Sequence, residues 1–205
     1  MHLGILGGAF NPPHLGHLWL AQEAHARLGL NQVLLVPVGR APHRTLAGDP
    51  GAEQRLRMVE LAAEGDERLV ASPIEVERPG TSYTVDTLTS LRETAPDAEL
   101  TLILGADQAR RLRSWQRPED VLRLARLAVA ERDGVTRDDV VAELDGLEGA
   151  ESTIGFALPR IDVSSTLVRE RVTAGLSIRY LVPDRVREHI AAEGLYASPA
   201  PVTTA

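Results

Sequence analysis

A chain of 205 residues is long enough to bury a sizeable core in one domain, and 43% hydrophobic with 25% charged residues is the ordinary balance of a globular protein in water. It contains no cysteine and no lysine, so all 22 basic residues are arginines; disulfides, thiolate metal sites, cysteine nucleophiles and lysine amines are excluded from any mechanism. A net charge of -7 argues against a nucleic-acid surface, no apolar run approaches the roughly 18 residues of a membrane span, and no charged-then-apolar leader opens the chain, so a cytoplasmic protein with neither nucleic-acid nor membrane partners is expected.

The first element is a buried strand from His2 to Leu6. Gly7-Gly8-Ala9-Phe10-Asn11-Pro12-Pro13-His14-Leu15-Gly16-His17 follows it, and from Leu18 the apolar positions Leu18, Ala21, Ala24 and Leu28 recur at helical spacing, which predicts a helix beginning near His17. The loop between them sits at the carboxyl end of a strand. Consecutive glycines let backbone amides approach a ligand, and the helix points its positive end at the same place, a field that suits a nucleoside triphosphate. The loop has neither the Gly-Lys-Ser/Thr ending of a P-loop nor the Gly-x-Gly-x-x-Gly spacing of a dinucleotide site. Two histidines three apart with no cysteine and no acidic third ligand make a poor zinc site, so no metal is assigned to protein side chains. Imidazoles that merely satisfy loop carbonyls are the bland alternative. The coincidence of a Gly-Gly turn, two prolines and both histidines at one strand-to-helix junction favours His14 and His17 as functional groups.

Further along, strands are predicted at Gln32 to Val38, Arg68 to Ile74, Glu99 to Leu104, Arg126 to Glu131 and Thr153 to Leu158. Helices are predicted at Glu53 to Glu64, with Leu56, Val59 and Ala63 on one side, at Thr84 to Thr94, at Pro118 to Leu124 and at about Thr136 to Leu144, then at Ser165 to Ala174 and Pro183 to Glu193. Strands alternating with helices imply an α/β fold, a Rossmann-like doubly wound parallel sheet with helices on both faces. One domain over 1–196 is expected, a core to about residue 160 followed by a small helical part, and the tail 197–205 has nothing to bury. The stretch Gly39 to Gly51, long and rich in Gly and Pro, is a candidate to close over a ligand.

In a doubly wound sheet, ligands collect where the strand order reverses, so three segments should converge there: the Gly7 to His17 loop, Gly105-Ala106-Asp107 after the fourth strand, and Asp162-Val163-Ser164-Ser165-Thr166-Leu167-Val168-Arg169. Serine and threonine are ordinary helix caps, but three hydroxyls in a row exceed what a cap needs. With free N-terminal amides and Arg169 one turn on, they make an anion site.

His14-x-x-His17 resembles the H-x-G-H signature of the nucleotidyltransferase superfamily, and Val163-Ser164-Ser165-Thr166-x-x-Arg169 resembles its I-S-S-T-x-x-R, with valine for isoleucine. Ala41-Pro42-His43-Arg44 is similar to the P-P-H-K/R segment of bacterial nicotinate-nucleotide adenylyltransferases, Ser82-Tyr83-Thr84-Val85-Asp86-Thr87-Leu88 to their S-Y-T-x-x-T-L, and Leu104-Gly105-Ala106-Asp107 to their I-G-x-D. Trp115 stands where they carry a tryptophan, and Leu181-Val182-Pro183 with Ile190 to Tyr196 is similar to their closing segment. The likeness runs from about Leu3 to Tyr196. One departure is Asn11, where the family most often has Asp; a turn tolerates either.

The resemblance implies adenylyl transfer from ATP to nicotinate mononucleotide, with Mg²⁺ bound mainly through the ATP phosphates. His14, His17 and Arg169 would be the catalytic residues. Gly7, Gly8, Ala9, Phe10, Gly105, Asp107, Val163, Ser164, Ser165 and Thr166 would hold ATP, with Asp107 on a ribose hydroxyl. His43 and Arg44 would meet the mononucleotide phosphate, and Tyr83, Thr84, Val85, Trp115 and Gln116 would surround the nicotinate. A nicotinamide-mononucleotide or 4'-phosphopantetheine adenylyltransferase is the alternative enzyme, and a nucleotide-sensing module the alternative of another class. The oligomeric state is not read from the sequence.

Overall fold

The computed structural model describes residues 1–42, 46–132 and 134–197. Among them, six strands form one wholly parallel sheet: β1 (His2–Gly8), β2 (Gln32–Pro37), β3 (Leu69–Ala71), β4 (Glu99–Gly105), β5 (Arg126–Glu131) and β6 (Ile154–Ala157), in the spatial order β3-β2-β1-β4-β5-β6. This is the doubly wound order expected, and its reversal lies between β1 and β4.

The strands bury both faces, and their side chains divide by the two-residue period. Leu3 and Ile5 of β1, Leu100, Leu102 and Leu104 of β4, and Leu127 and Val129 of β5 pack on one side with α3 (Thr84–Thr94) and α5 (Pro118–Leu124). Leu6, Val33, Leu35, Ile103, Ala128 and Ala130 pack on the other with α1 (Leu15–Leu28) and α2 (Ala52–Ala63). A short α4 (Ala106–Ala109) and α6 (Arg137–Glu143) complete the first layer. The last two helices, α7 (Ser165–Thr173) and α8 (Asp184–Ala192), bury Val168, Val186 and Ile190 with Ile178 and Val182 against Met58 of α2. No helix of the described residues is long and apolar enough to cross a membrane.

The differences from the expected elements have local causes. β1 runs two residues further because Gly7 and Gly8 still pair with Val36 and Pro37 of β2. α1 starts at Leu15 because His14, with extended backbone (φ -142°, ψ 171°), is its N-cap. β3 is an edge strand of three residues, cut short of the expected Arg68 to Ile74 as the chain reaches Pro73. α4 is a single turn, too short to leave a periodic signal in the sequence. The tail beyond Ala197 and the segment His43 to Thr45 lie outside the described residues.

Candidate active site

The loop after β1 turns sharply at Phe10 (φ 47°), whose ring is buried in the core rather than turned to a ligand. It ends at the histidine pair. The Nδ1 of His17 accepts the backbone N–H of His14 at 3.2 Å, so the neutral ring of His17 carries its proton on Nε2 and presents a donor away from the helix. The two rings lie face to face with centroids 3.7 Å apart, and the Phe10 ring stands 4.8 Å from His17. Gly16 makes this stacking possible, since a Cβ there would come within 3.1 Å of the His14 ring. Buried side by side, both histidines favour the uncharged form: burial pushes His14 down to about 4, and burial followed by the neighbouring His14 charge holds His17 well below the ordinary imidazole value. Both rings are therefore neutral at physiological pH, and each keeps one N–H to donate. Because each pKa is depressed on folding, the unfolded chain takes up the protons first. Stability should fall as pH drops from about 6.5 toward 4, by about 1.4 kcal/mol per pH unit from His14, with His17 acting in the same direction, and denaturant titrations across that range measure the slope.

Opposite the histidines lies the start of α7, the segment expected to meet an anion. Ser164 is its cap, accepting the Leu167 N–H at 3.1 Å, and the Ser165 hydroxyl donates to the Pro12 carbonyl at 2.8 Å. Both serine hydroxyls thus have structural partners, and Thr166 accepts from Arg169, so backbone amides are what the helix start has left to offer an anion. Arg169 donates from Nη1 to the Asn11 carbonyl at 2.7 Å and from Nη2 to Thr166 Oγ1 at 3.2 Å. The Val163 carbonyl lies 3.6 Å from where a Cβ on Gly16 would stand. These contacts bring together segments about 150 residues apart, so His14, His17, Ser165, Thr166 and Arg169 lie close to one another.

Beside it, at the carboxyl ends of β1, β2 and β4, a cavity of about 420 Å³ opens. Gly7, Gly8 and Ala9 form its boundary with the histidine loop. Tyr83, Thr84, Trp115 and Gln116, the residues expected around the acceptor ring, line it, with Trp115 half-buried on a turn after Leu112–Ser114. Val85 departs from its expected place, because its side chain is 1% exposed and belongs to the core under the sheet. Asp107 and Gly105 do not line this cavity; Asp107 pairs with Arg132 at 2.8 Å beside the end of β4. His43 and Arg44 are outside the described residues. Glu75, Gln108 and Arg111 also line the cavity and were not predicted. Gln108 lies in the single turn of α4 and Arg111 in the turn just after it, a placement legible only once that stretch is known to coil. Thr87 donates to Glu75 at 2.7 Å, and burial raises the Glu75 pKa, so a negative charge is disfavoured on this wall.

A cytidylyltransferase-like family model matches residues 5–171 of the chain. The "Probable nicotinate-nucleotide adenylyltransferase" of Trichlorobacter lovleyi is 43% identical over 96% of this chain and 99% of its own, and that of Herpetosiphon aurantiacus is 42% identical over 95% and 98%. The chain belongs to the nicotinate-nucleotide adenylyltransferase family. The fold agrees with the nicotinic acid mononucleotide adenylyltransferase of Plasmodium falciparum complexed with NaAD, with a TM-score of 0.77 at 16% identity, covering 95% of this chain and 97% of that one.

In this member of the nicotinate-nucleotide adenylyltransferase family, a buried arginine ties the two halves of the site together. Arg55 of α2, 1% exposed, donates from Nη1 to the carbonyls of Ala9 (3.1 Å) and Val38 (2.6 Å), from Nη2 to Gly39 (3.2 Å), and from Nε to Asp49 (2.9 Å). The guanidinium fork is the one side chain that satisfies several carbonyls at once, which is why its charge is tolerated there.

Proposed function

We propose that this chain transfers the adenylyl group of ATP to nicotinate mononucleotide, giving nicotinate adenine dinucleotide and pyrophosphate in NAD biosynthesis. The observation that carries the reading is the shared boundary at Gly7 to Ala9: on one side lie the neutral histidine pair, the α7 amides and Arg169, and on the other an aromatic-lined cavity sized for a nucleotide base. A phosphate oxygen of the mononucleotide attacks the α-phosphorus of ATP, the bond from that phosphorus to the bridging oxygen breaks, and pyrophosphate leaves. Both reactants are anions, so positioning and charge neutralisation supply most of the catalysis. His14 and His17 donate hydrogen bonds to phosphate oxygens as charge develops. The α7 amides, Thr166 and Arg169 hold the β and γ phosphates of the leaving group. Gly105, Asp107, Val163 and Ser164 lie toward the nucleoside of ATP, and His43 and Arg44 meet the mononucleotide phosphate.

Nucleotidyltransferases generally use a divalent metal, and we assign Mg²⁺ here, carried mainly by the phosphates of ATP and supplying charge neutralisation. The site fits that arrangement. Its own polar groups are N–H donors that complement phosphate oxygens, and among the described residues no group of three or more His, Asp or Glu could hold a metal ion.

Pyrophosphate release from ATP with nicotinate mononucleotide, nicotinamide mononucleotide and 4'-phosphopantetheine offered separately tests the assignment; turnover with either of the others above that with the nicotinate compound overturns it. Arg169→Ala should weaken ATP about tenfold or more and AMP little, because its partners are the distal phosphates. Equal losses for both nucleotides in a binding titration would place Arg169 at the α-phosphate or in the fold.

A further inference from the structure

The side chains of Asn11 and Tyr196 are not among the phosphate-holding groups above, yet both stand beside Arg169. The Asn11 side chain is buried, 3% exposed, and is engaged on both ends: Oδ1 accepts from the Tyr196 hydroxyl at 2.8 Å and Nδ2 donates to the Ala47 carbonyl at 3.0 Å. Its main-chain carbonyl is the one that receives Arg169 at 2.7 Å. A side-chain amide accepts on one side and donates on the other without charge, which a carboxylate of the same shape does not do. Tyr196 is fixed in turn: its carbonyl accepts from Thr173 of α7 at 3.0 Å, and burial pushes its hydroxyl well above the ordinary phenol value, so it stays a donor at any working pH.

The contact to Ala47 places a second wall. Gly48 follows in a left-handed conformation (φ 59°), and a Cβ there would stand 3.4 Å from Arg169 Cδ and 4.0 Å from the Tyr196 ring. Asp49, the nearest acid in the segment, is taken by Arg55. Among the described residues Arg169 has no carboxylate partner, and its two acceptors are both neutral. Its charge is therefore undiminished, and its place is set by Asn11 beneath and Gly48 above.

We propose that Asn11 is a positioning residue for ATP: with Tyr196 it fixes the carbonyl and the 46–51 segment that aim Arg169, and by being neutral it leaves the whole Arg169 charge to the triphosphate. This rests on the reading of Arg169 as a phosphate holder. In this chain the uncharged amide matches its surroundings, since Ala47 offers a carbonyl that Nδ2 meets, and a carboxylate at position 11 would face that carbonyl with no proton while competing with phosphate for Arg169.

Asn11→Asp keeps the shape and changes only charge and donor. In calorimetric titrations without mononucleotide, it should raise the Kd of ATP about tenfold and that of AMP less than about twofold; in an Arg169→Ala background the same change should alter ATP by less than about twofold, the signature of two residues acting as one. Tyr196→Phe, which keeps the ring and loses only the hydroxyl, should show the same preference for ATP loss at about threefold, and it serves if the aspartate variant does not fold. Equal losses for ATP and AMP, no loss at all, or an Asn11→Asp effect undiminished without Arg169 would each overturn the proposal. Unchanged ATP binding in Arg169→Ala itself would overturn it together with the phosphate-holding role. Failure of wild-type protein to release pyrophosphate with nicotinate mononucleotide would strike the reaction assignment alone, since these titrations need no acceptor.

Discussion

His17→Ala should lower kcat by about two to three orders of magnitude, the range for removing one donor that acts on charge developing in the transition state. The structure explains why a neutral imidazole serves. Nδ1 is occupied by the His14 N–H, so the Nε2 proton is directed and needs no reorganisation, and burial among His14 and Phe10 keeps competing water away. Folding should suffer little. The lost hydrogen bond is worth about 1 kcal/mol, or about 2–4 °C in Tm for a chain of this size, and the buried ring carried no charge to compensate. His14→Ala should reduce kcat less severely. Rapid-quench measurement of the chemical step with a melting curve for each variant checks both expectations. Variants that unfold, or that turn over at the wild-type rate, would make the pair structural.

The parts of this molecule legible in its sequence are those built from local patterns. The strand, glycine turn and histidine helix announce themselves because backbone approach, dipole and donor all depend on residues within about ten positions of one another. The reversal point follows from strand alternation. What stayed hidden depends on partners far apart. The spacing of Leu56, Val59 and Ala63 assigns α2 one apolar face, whereas the buried residues include Arg55 and Met58. Met58 is covered by α8 and its neighbours, and Arg55 is buried because the loop ends turn their carbonyls toward it. Likewise the hydroxyls of Ser164 and Ser165 look like ligands in the sequence, and only the fold brings Pro12 to Ser165. Val85 sits inside a motif that surrounds the acceptor, yet the helical register turns its side chain to the core while Thr84 faces the cavity. Asn11 was conspicuous as a departure, but its partners Ala47, Arg169 and Tyr196 lie 36, 158 and 185 residues away.

The discrimination of acid from amide on the acceptor ring should reach at least about a hundredfold in kcat/KM in favour of nicotinate mononucleotide over its amide. A ring carboxylate has only acceptors and a negative charge, whereas a carboxamide brings two donors, so a wall of N–H groups satisfies the first and sets donor against donor with the second. About 3 kcal/mol is the expected cost of such mispairing in a buried site. The backbone amides of Val85 and Gln116, at the start of α3 and on the turn after Trp115, are the expected donors. The cavity's charges act in the same sense. Arg111 on its wall has no carboxylate partner among the described residues, and burial disfavours the charge of Glu75 on the same cavity. Trp115 offers a stacking surface that does not read charge. Trp115→Ala should therefore raise KM for both mononucleotides while eroding the preference only modestly. Steady-state kinetics with the two mononucleotides on wild type and variant decide the matter: equal use of acid and amide by the wild type would remove the nicotinate assignment and leave adenylyl transfer standing, and collapse of the preference in Trp115→Ala would move the selectivity from the amides to the ring itself.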